Sequence, residues 1–139
     1  MVTKATAHGL DGLPAGWADA EVLPGVSVWD KGELEGRLFL VTAVKQTMSS
    51  QNYAMAWVEG ELPDGTMFTF NDSSAVVGVR AEVEELLTTL KKADQLDEWI
   101  PVRFVCPDGL RVSRYEKEDN RGKMQPFRTY YFTRSGKRA

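Results

Sequence analysis

The sequence predicts a mainly β fold: five to six antiparallel strands rolled into a barrel, with one α-helix between the third and fourth strands. Three observations predict it. Short runs rich in β-branched and aromatic residues recur along the chain. Pro-Asp-Gly turns at 63–65 and 107–109 punctuate them, because Pro presets φ and Gly tolerates positive φ. A single stretch, 76–90, carries apolar residues at helical spacing.

The elements follow in order. Residues 1–31 are rich in Gly, Ala and Pro without a sustained period, and are expected to form a flexible arm ahead of a body at 32–134. Trp17, Val26, Val28 and Trp29 are candidate anchors of that arm. Residues 34–44 (LEGRLFLVTAV) read as the first strand, too short and unpunctuated for a helix. Strict alternation puts Leu34, Leu38, Leu40 and Val44 on one face and Arg37, Phe39, Val41 and Lys45 on the other. A polar loop spans 46–52. The second strand, 53–62 (YAMAWVEGEL), points Tyr53, Met55, Trp57 and Glu59 one way and Ala54, Ala56 and Val58 the other. The third, 66–70 (TMFTF), returns as a hairpin, with Phe68 expected in the core and Phe70 open.

The sequence at 71–74 (NDSS) offers helix N-caps. The helix turns Val79, Val83, Leu86, Leu87 and Leu90 inward and Arg80, Glu82, Glu84 and Glu85 outward, while Gly78 weakens its first turn. A fourth strand follows at 99–106 (WIPVRFVC), with Pro101 near its start. A fifth lies at 110–115 (LRVSRY), a polar loop at 116–125, a sixth strand at 127–133 (FRTYYFT) and a basic tail at 135–139. Three antiparallel strands, a helix, then two strands is the order of the oligonucleotide/oligosaccharide-binding (OB) barrel. A rolled sheet with one helix has the same order.

At 139 residues the chain has the usual size of one domain. Its net charge of −3 is unevenly spread. Residues 103–139 hold ten Lys and Arg against four acids, a balance of +6 that leaves −9 for the rest. Such asymmetry suggests one basic surface on an acidic body. A scatter of basic residues around a solvated face gives the same count.

Enzyme readings find no footing. His8 is the single histidine and lies in the arm. Cys106 is the single cysteine and shares a strand face with Ile100, Val102 and Phe104, as a structural thiol does. One His and one Cys cannot build a zinc site. No GxxxxGKS/T or GxGxxG occurs. Asp64, Asp72 and Asp108 lie in turns, where capping explains them. The chain is therefore expected to be no enzyme, with no catalytic residue, metal or cofactor. A lone cysteine, no apolar run near 18 residues, and no basic-then-apolar start at 1–16 make the cytoplasm the expected location, with no membrane partner.

Nonspecific binding of single strands needs cations along the phosphates and flat rings under the bases. Several segments interleave the two. Arg37, Phe39 and Lys45 share a face of the first strand, and Tyr53 and Trp57 share one of the second. Small residues behind Tyr53 and Trp57 suit the inside of a narrow barrel. The opposite assignment, with Tyr53, Met55 and Trp57 as core, fits the same alternation. Arg111, Arg114 and Tyr115 precede Arg121 and Lys123. Arg128, Tyr130 and Arg134 then alternate with Phe127, Thr129 and Tyr131. The expected nucleic-acid-binding set is Arg37, Phe39, Lys45, Tyr53, Trp57, Arg111, Arg114, Tyr115, Arg121, Lys123, Arg128, Tyr130 and Arg134. Quenching of Trp57 by added oligo-dT is expected to report binding.

Four pieces carry a family likeness: VWDKGELEGRLFLV (28–41), FNDSSAVVGVRAEVEEL (70–86), CPDGLRVSRY (106–115) and RTYYFT (128–133). Through them the chain resembles the small single-stranded DNA-binding proteins of actinobacterial phages, over about three-quarters of its length. The resemblance implies an OB-type barrel, no cofactor, a role in phage DNA replication or recombination, and the host bacterial cytoplasm as its place. Ser73 stands where that family has a glycine. The sequence closes on Ser-Gly-Lys-Arg-Ala, without the acidic, Phe-terminated tip by which bacterial single-strand binders recruit partners. The expected partners are single-stranded DNA, host or phage replication and recombination proteins, and further copies of the chain, with the 128–133 edge as one dimer contact. The alternative function is a phage protein-interaction module that binds a host protein through the acidic body.

Overall fold

A computed structural model gives the fold and describes residues 26–48, 54–73 and 77–134. It is mainly β. In chain order the elements are β1 (Ser27–Val28), β2 (Phe39–Met48), β3 (Ala54–Glu61), β4 (Met67–Asp72), α1 (Val79–Thr89), β5 (Ile100–Cys106), β6 (Leu110–Glu118) and β7 (Met124–Phe132). Five strands form one sheet in the order β1-β4-β3-β2-β5, and β6 and β7 form a separate ribbon. No helix among the described residues is long and apolar enough to cross a membrane.

The strands do not close into a barrel, which corrects that part of the expectation. β5 pairs only with β2, and β6 only with β7. The second edge of β6 is taken at its root by Glu35, which bridges to Gly109 and Leu110, and by Gly36, which donates to the Leu110 carbonyl at 3.2 Å. The turn at 107–109 therefore sends β6 away from β5. Gly109 sits there at φ 66°, and a Cβ on it would meet the Leu34 and Arg37 carbonyl oxygens at 2.3 Å. Only glycine fits so close to two backbone oxygens.

Residues 26–31, assigned to the arm by the sequence, pack on the body, and the rest of that arm lies outside the described residues. Val26 and Val28 are buried, β1 pairs in parallel with β4, and Trp29 packs on Phe68 at 5.6 Å. Lys31–Leu34 is a 3-10 turn opened by a capping box. Asp30 accepts from the Gly32 amide, and Glu33 accepts from the Asp30 amide.

β2 departs from strict alternation because its ladder slips between Val41 and Ala43, a β-bulge. Phe39 and Val41 face the core before the bulge, and Val44 faces it after. Lys45 is thereby turned to the opposite face from Phe39 and Val41. β3 is central and covered on both sides. Ala56 and Val58 join the core cluster, while Met55 and Trp57, on the other face, are also buried. Phe39, Phe68 and Phe70 form the aromatic centre, with Phe39 edge-on to Phe68 at 5.2 Å and Phe68 stacked on Phe70 at 6.2 Å.

α1 lays Val79, Val83 and Leu87 on this core, each contributing roughly 1.5–3 kcal/mol of burial. Gly78 is its N-cap at φ 105°, where a side chain is strained. The capping acceptor comes from outside the turn: Asp72 takes the Arg80 amide at 2.7 Å and the Lys31 ammonium at 2.8 Å. Glu82 accepts the Phe132 amide at 2.9 Å and ties α1 to β7.

Candidate nucleic-acid interface

The β6–β7 ribbon positions the densest mixture of rings and cations. Two-stranded ribbons are marginal alone and need a packed root. Here Leu110, Tyr130 and Phe132 lie in the core cluster with Val112 against it, and Phe104 meets Phe132 edge-on at 5.1 Å. These ribbon residues share one face. The register pairs Arg111 with Tyr131, Ser113 with Thr129, Tyr115 with Phe127 and Lys117 with Gln125 on the other.

That second face carries the rings that stay accessible. Tyr115 is 41% exposed and Phe127 37%. Their rings stack at 6.0 Å and 17°, and the Tyr115 hydroxyl hydrogen-bonds that of Thr129 at 3.0 Å. Lys117 lies over Phe127 at 5.3 Å, and Arg111 over Tyr131 at 4.3 Å. The two ring platforms are four residues apart along the strands, about 14 Å.

At the tip, the strands continue to Glu118 and resume at Met124, so the loop expected over 116–125 is only five residues long. Two exposed faces leave no apolar alternation there to mark a strand. Asp119 organises the loop, accepting the Arg121 amide at 2.8 Å, the Lys123 amide at 2.9 Å and the Gln125 side chain at 3.0 Å. The hydrogen bonds from the Lys123 and Arg121 amides, then from Gln125, hold its carboxyl below the usual carboxylate range. Arg121 and Lys123 are exposed on this ordered turn.

The ion pairs are distributed unevenly. Lys31 pairs with Asp72, Arg80 with Glu84, and Arg114 with Glu35 at 3.1 Å. Arg111, Lys117, Arg121, Lys123, Arg128 and Arg134 make none among the described residues. Arg128 directly opposes Arg114 across the ribbon and reaches the Tyr130 hydroxyl at 3.4 Å. Arg134 lies over Phe104 at 4.8 Å, and Arg37 over Trp29 at 5.3 Å.

Four of the expected site residues are buried and leave the interface. Phe39 and Trp57 are sealed, at 1% and 0% exposure, and no base can reach their faces. Lys45 is 1% exposed and lies over Trp99 at 5.0 Å, because the bulge turns it away from Phe39. Tyr130 is 7% exposed, since β7 alternation points it to the core beside Val112. Tyr53 lies outside the described residues. Arg111, Tyr115, Arg121 and Lys123 are brought together on the ribbon, with Arg114 and Arg128 on its reverse face. Arg37 and Arg134 sit away from it, over Trp29 and Phe104. Phe127, Tyr131 and Lys117 are the ribbon residues missing from the expected set. The signal for them was the parity of Leu110 and Val112, whose inward direction forces Arg111, Tyr115 and Lys117 outward with their partners.

Elsewhere, Cys106 is fully buried, and desolvation pushes its thiol up to about 12. Burial also raises the Glu82 carboxyl, against the Phe132 amide bond that lowers it. Glu82, Glu84 and Glu85 line a hollow beside Tyr131, an acidic border to the basic ribbon. No family model matches the chain, and no curated protein or solved structure is similar to it.

Proposed function

We propose that this chain is a sequence-nonspecific single-stranded DNA-binding protein. Strands lie along the outward face of the β6–β7 ribbon, with bases on Tyr115, Phe127 and Tyr131 and phosphates near Arg111, Lys117, Arg121 and Lys123. The observation that carries this reading is the exposed Tyr115–Phe127 stack flanked by Lys117, Arg121 and Lys123, which make no ion pair among the described residues. A side chain stacked under a base contributes roughly 1–3 kcal/mol whatever the base, which suits nonspecific binding. A cation free of a carboxylate partner needs no ion pair broken before it meets phosphate.

The pairing of β2 with both β3 and β5, with α1 between β4 and β5, supports an OB-like course for the body. With the resemblance in sequence, it supports a role in phage DNA replication or recombination in the host cytoplasm. Titration of labelled oligo-dT at about 50 and 200 mM salt tests the reading. Affinity falls steeply between the two, and duplex of the same length competes poorly. Preference for duplex, or no binding at the lower salt, overturns it.

The acidic hollow on α1 favours a second reading, a module that binds a host protein. It predicts salt-insensitive binding to one partner and no oligonucleotide binding.

A further inference from the structure

Where β2 begins and β3 ends, an open apolar hollow of about 410 Å³, floored by the core residues Phe39 and Leu62, opens onto the outer face of the main sheet and is not used by the nucleic-acid reading. Leu38, Leu40, Leu62, Pro63 and Val105 line it, with Glu61 and Arg103. Leu38 and Val105 are exposed, at 44% and 42%. The ladder explains the layout. Leu40 on β2 pairs directly with Glu61 on β3 and with Val105 on β5. Arg103 lies two residues before Val105 and so shares its face. The acid and the base therefore stand on opposite rims, two strand spacings across and two residues along, about 12 Å apart. Neither Glu61 nor Arg103 makes an ion pair among the described residues.

We propose that this face is a self-complementary dimer surface whose occupant is a second copy of the chain. A two-fold axis lying in the face and running along β2 sets β3 of one copy over β5 of the other. Leu40 then meets its own equivalent at the centre. Glu61 of each copy then lands over Val105 of the other, about 7 Å along the strand from Arg103, whose long side chain reaches back to the carboxylate, so each charge gains a partner across the interface. The same rotation covers Leu38 and Val105. A dimer carries two ribbons, and linked sites raise effective concentration on one strand.

Charge reversal tests the proposal by sedimentation from about 1 µM to 1 mM protein. Arg103→Glu sets a second carboxylate against Glu61, and Glu61→Arg sets a second guanidinium against Arg103. Each variant alone dimerises roughly tenfold more weakly or worse, because like charges now meet twice. The two variants mixed recover a heterodimer, and the double variant recovers a homodimer. Circular dichroism confirms that each is folded, and recovery on mixing reads the contact independently of any change in stability. A wild-type chain that stays monomeric throughout overturns the proposal, as does a dimer indifferent to both reversals. Loss of oligo-dT binding in Arg103→Glu without a change of assembly assigns Arg103 to nucleic acid and also overturns it. Ribbon affinity measured on the monomer is unaffected by the outcome, so failure here is distinct from failure of the nucleic-acid reading.

Discussion

Tyr115 and Phe127 face each other directly across β6–β7 with rings 6.0 Å apart and nearly parallel, and the Tyr115 hydroxyl is anchored to Thr129. Two aromatic residues on a strand pair already restrict each other, and the hydroxyl bond restricts one further. The platform is thus formed before any base arrives, which lowers the ordering cost of binding. Tyr115→Ala removes a ring from the platform and is expected to weaken oligo-dT binding roughly tenfold or more, at about 1–3 kcal/mol per stacked base. Tyr115→Phe keeps the ring, loses the Thr129 bond and stays within a few-fold of wild type. Anisotropy titrations of both variants check the pair.

Trp57 gives the opposite expectation. Its ring is sealed between neighbouring strands, paired in register with Lys45 and Asn71, and its indole N–H is buried without an acceptor among the described residues. With Trp17, Trp29 and Trp99 replaced by Phe, saturating oligo-dT leaves the remaining emission unchanged. Strong quenching in that background would place bases on β3 and remove the ribbon as the site.

The Arg121 and Lys123 side chains extend from a turn whose amides Asp119 holds. Each cation that meets a phosphate adds close to one unit to the dependence of log affinity on log salt. Arg121→Ala and Lys123→Ala are each expected to lower that slope by about 1, uniformly across base sequences. Arg114→Ala lowers it less, because Glu35 already occupies that guanidinium. Titrations at four salt concentrations separate the three.

The order of strands and helix was legible because turn chemistry and alternation mark it directly, at 63–65, 107–109 and in the Val79–Val83–Leu87 stripe. The faces of β2 were not. One bulge after Val41 reverses every later residue, and nothing in FLVTAVKQTM announces it. β1 escaped notice because two residues pairing in parallel leave no period. The ribbon beyond Tyr115 read as loop because both its faces meet water. Tyr130 and Tyr131 look alike as letters, and only pairing with Val112 or Arg111 decides which one is buried.

Gly109 is where the chain turns from the sheet into the ribbon. Gly109→Ala combines a left-handed φ of 66° with a Cβ forced to 2.3 Å from two carbonyl oxygens, and backbone on both sides cannot yield cheaply. A loss of roughly 2–4 kcal/mol is expected. Gly65→Ala, at φ 91° but with nothing within 4 Å, is milder and keeps only the conformational strain. Urea unfolding of the two variants checks the order.

Cys106 links the core to pH. Its thiol is raised from 9.0 to about 12, chiefly because burial disfavours the thiolate. Below pH 9 both the folded and the unfolded chain keep the proton, and the group adds no pH dependence to stability. Above it the unfolded chain loses the proton first, so stability from this group falls as pH rises from about 9 toward 12, by up to about 1.4 kcal/mol per unit. Cys106→Ser keeps a neutral side chain over the same range and removes that slope, whatever it does to stability at neutral pH. The same burial slows thiol modification. At pH 8 the folded chain is expected to react with a disulfide reagent only through opening, at a rate that urea raises steeply. Rapid labelling of the folded chain without denaturant would show that the thiol is reached from solvent.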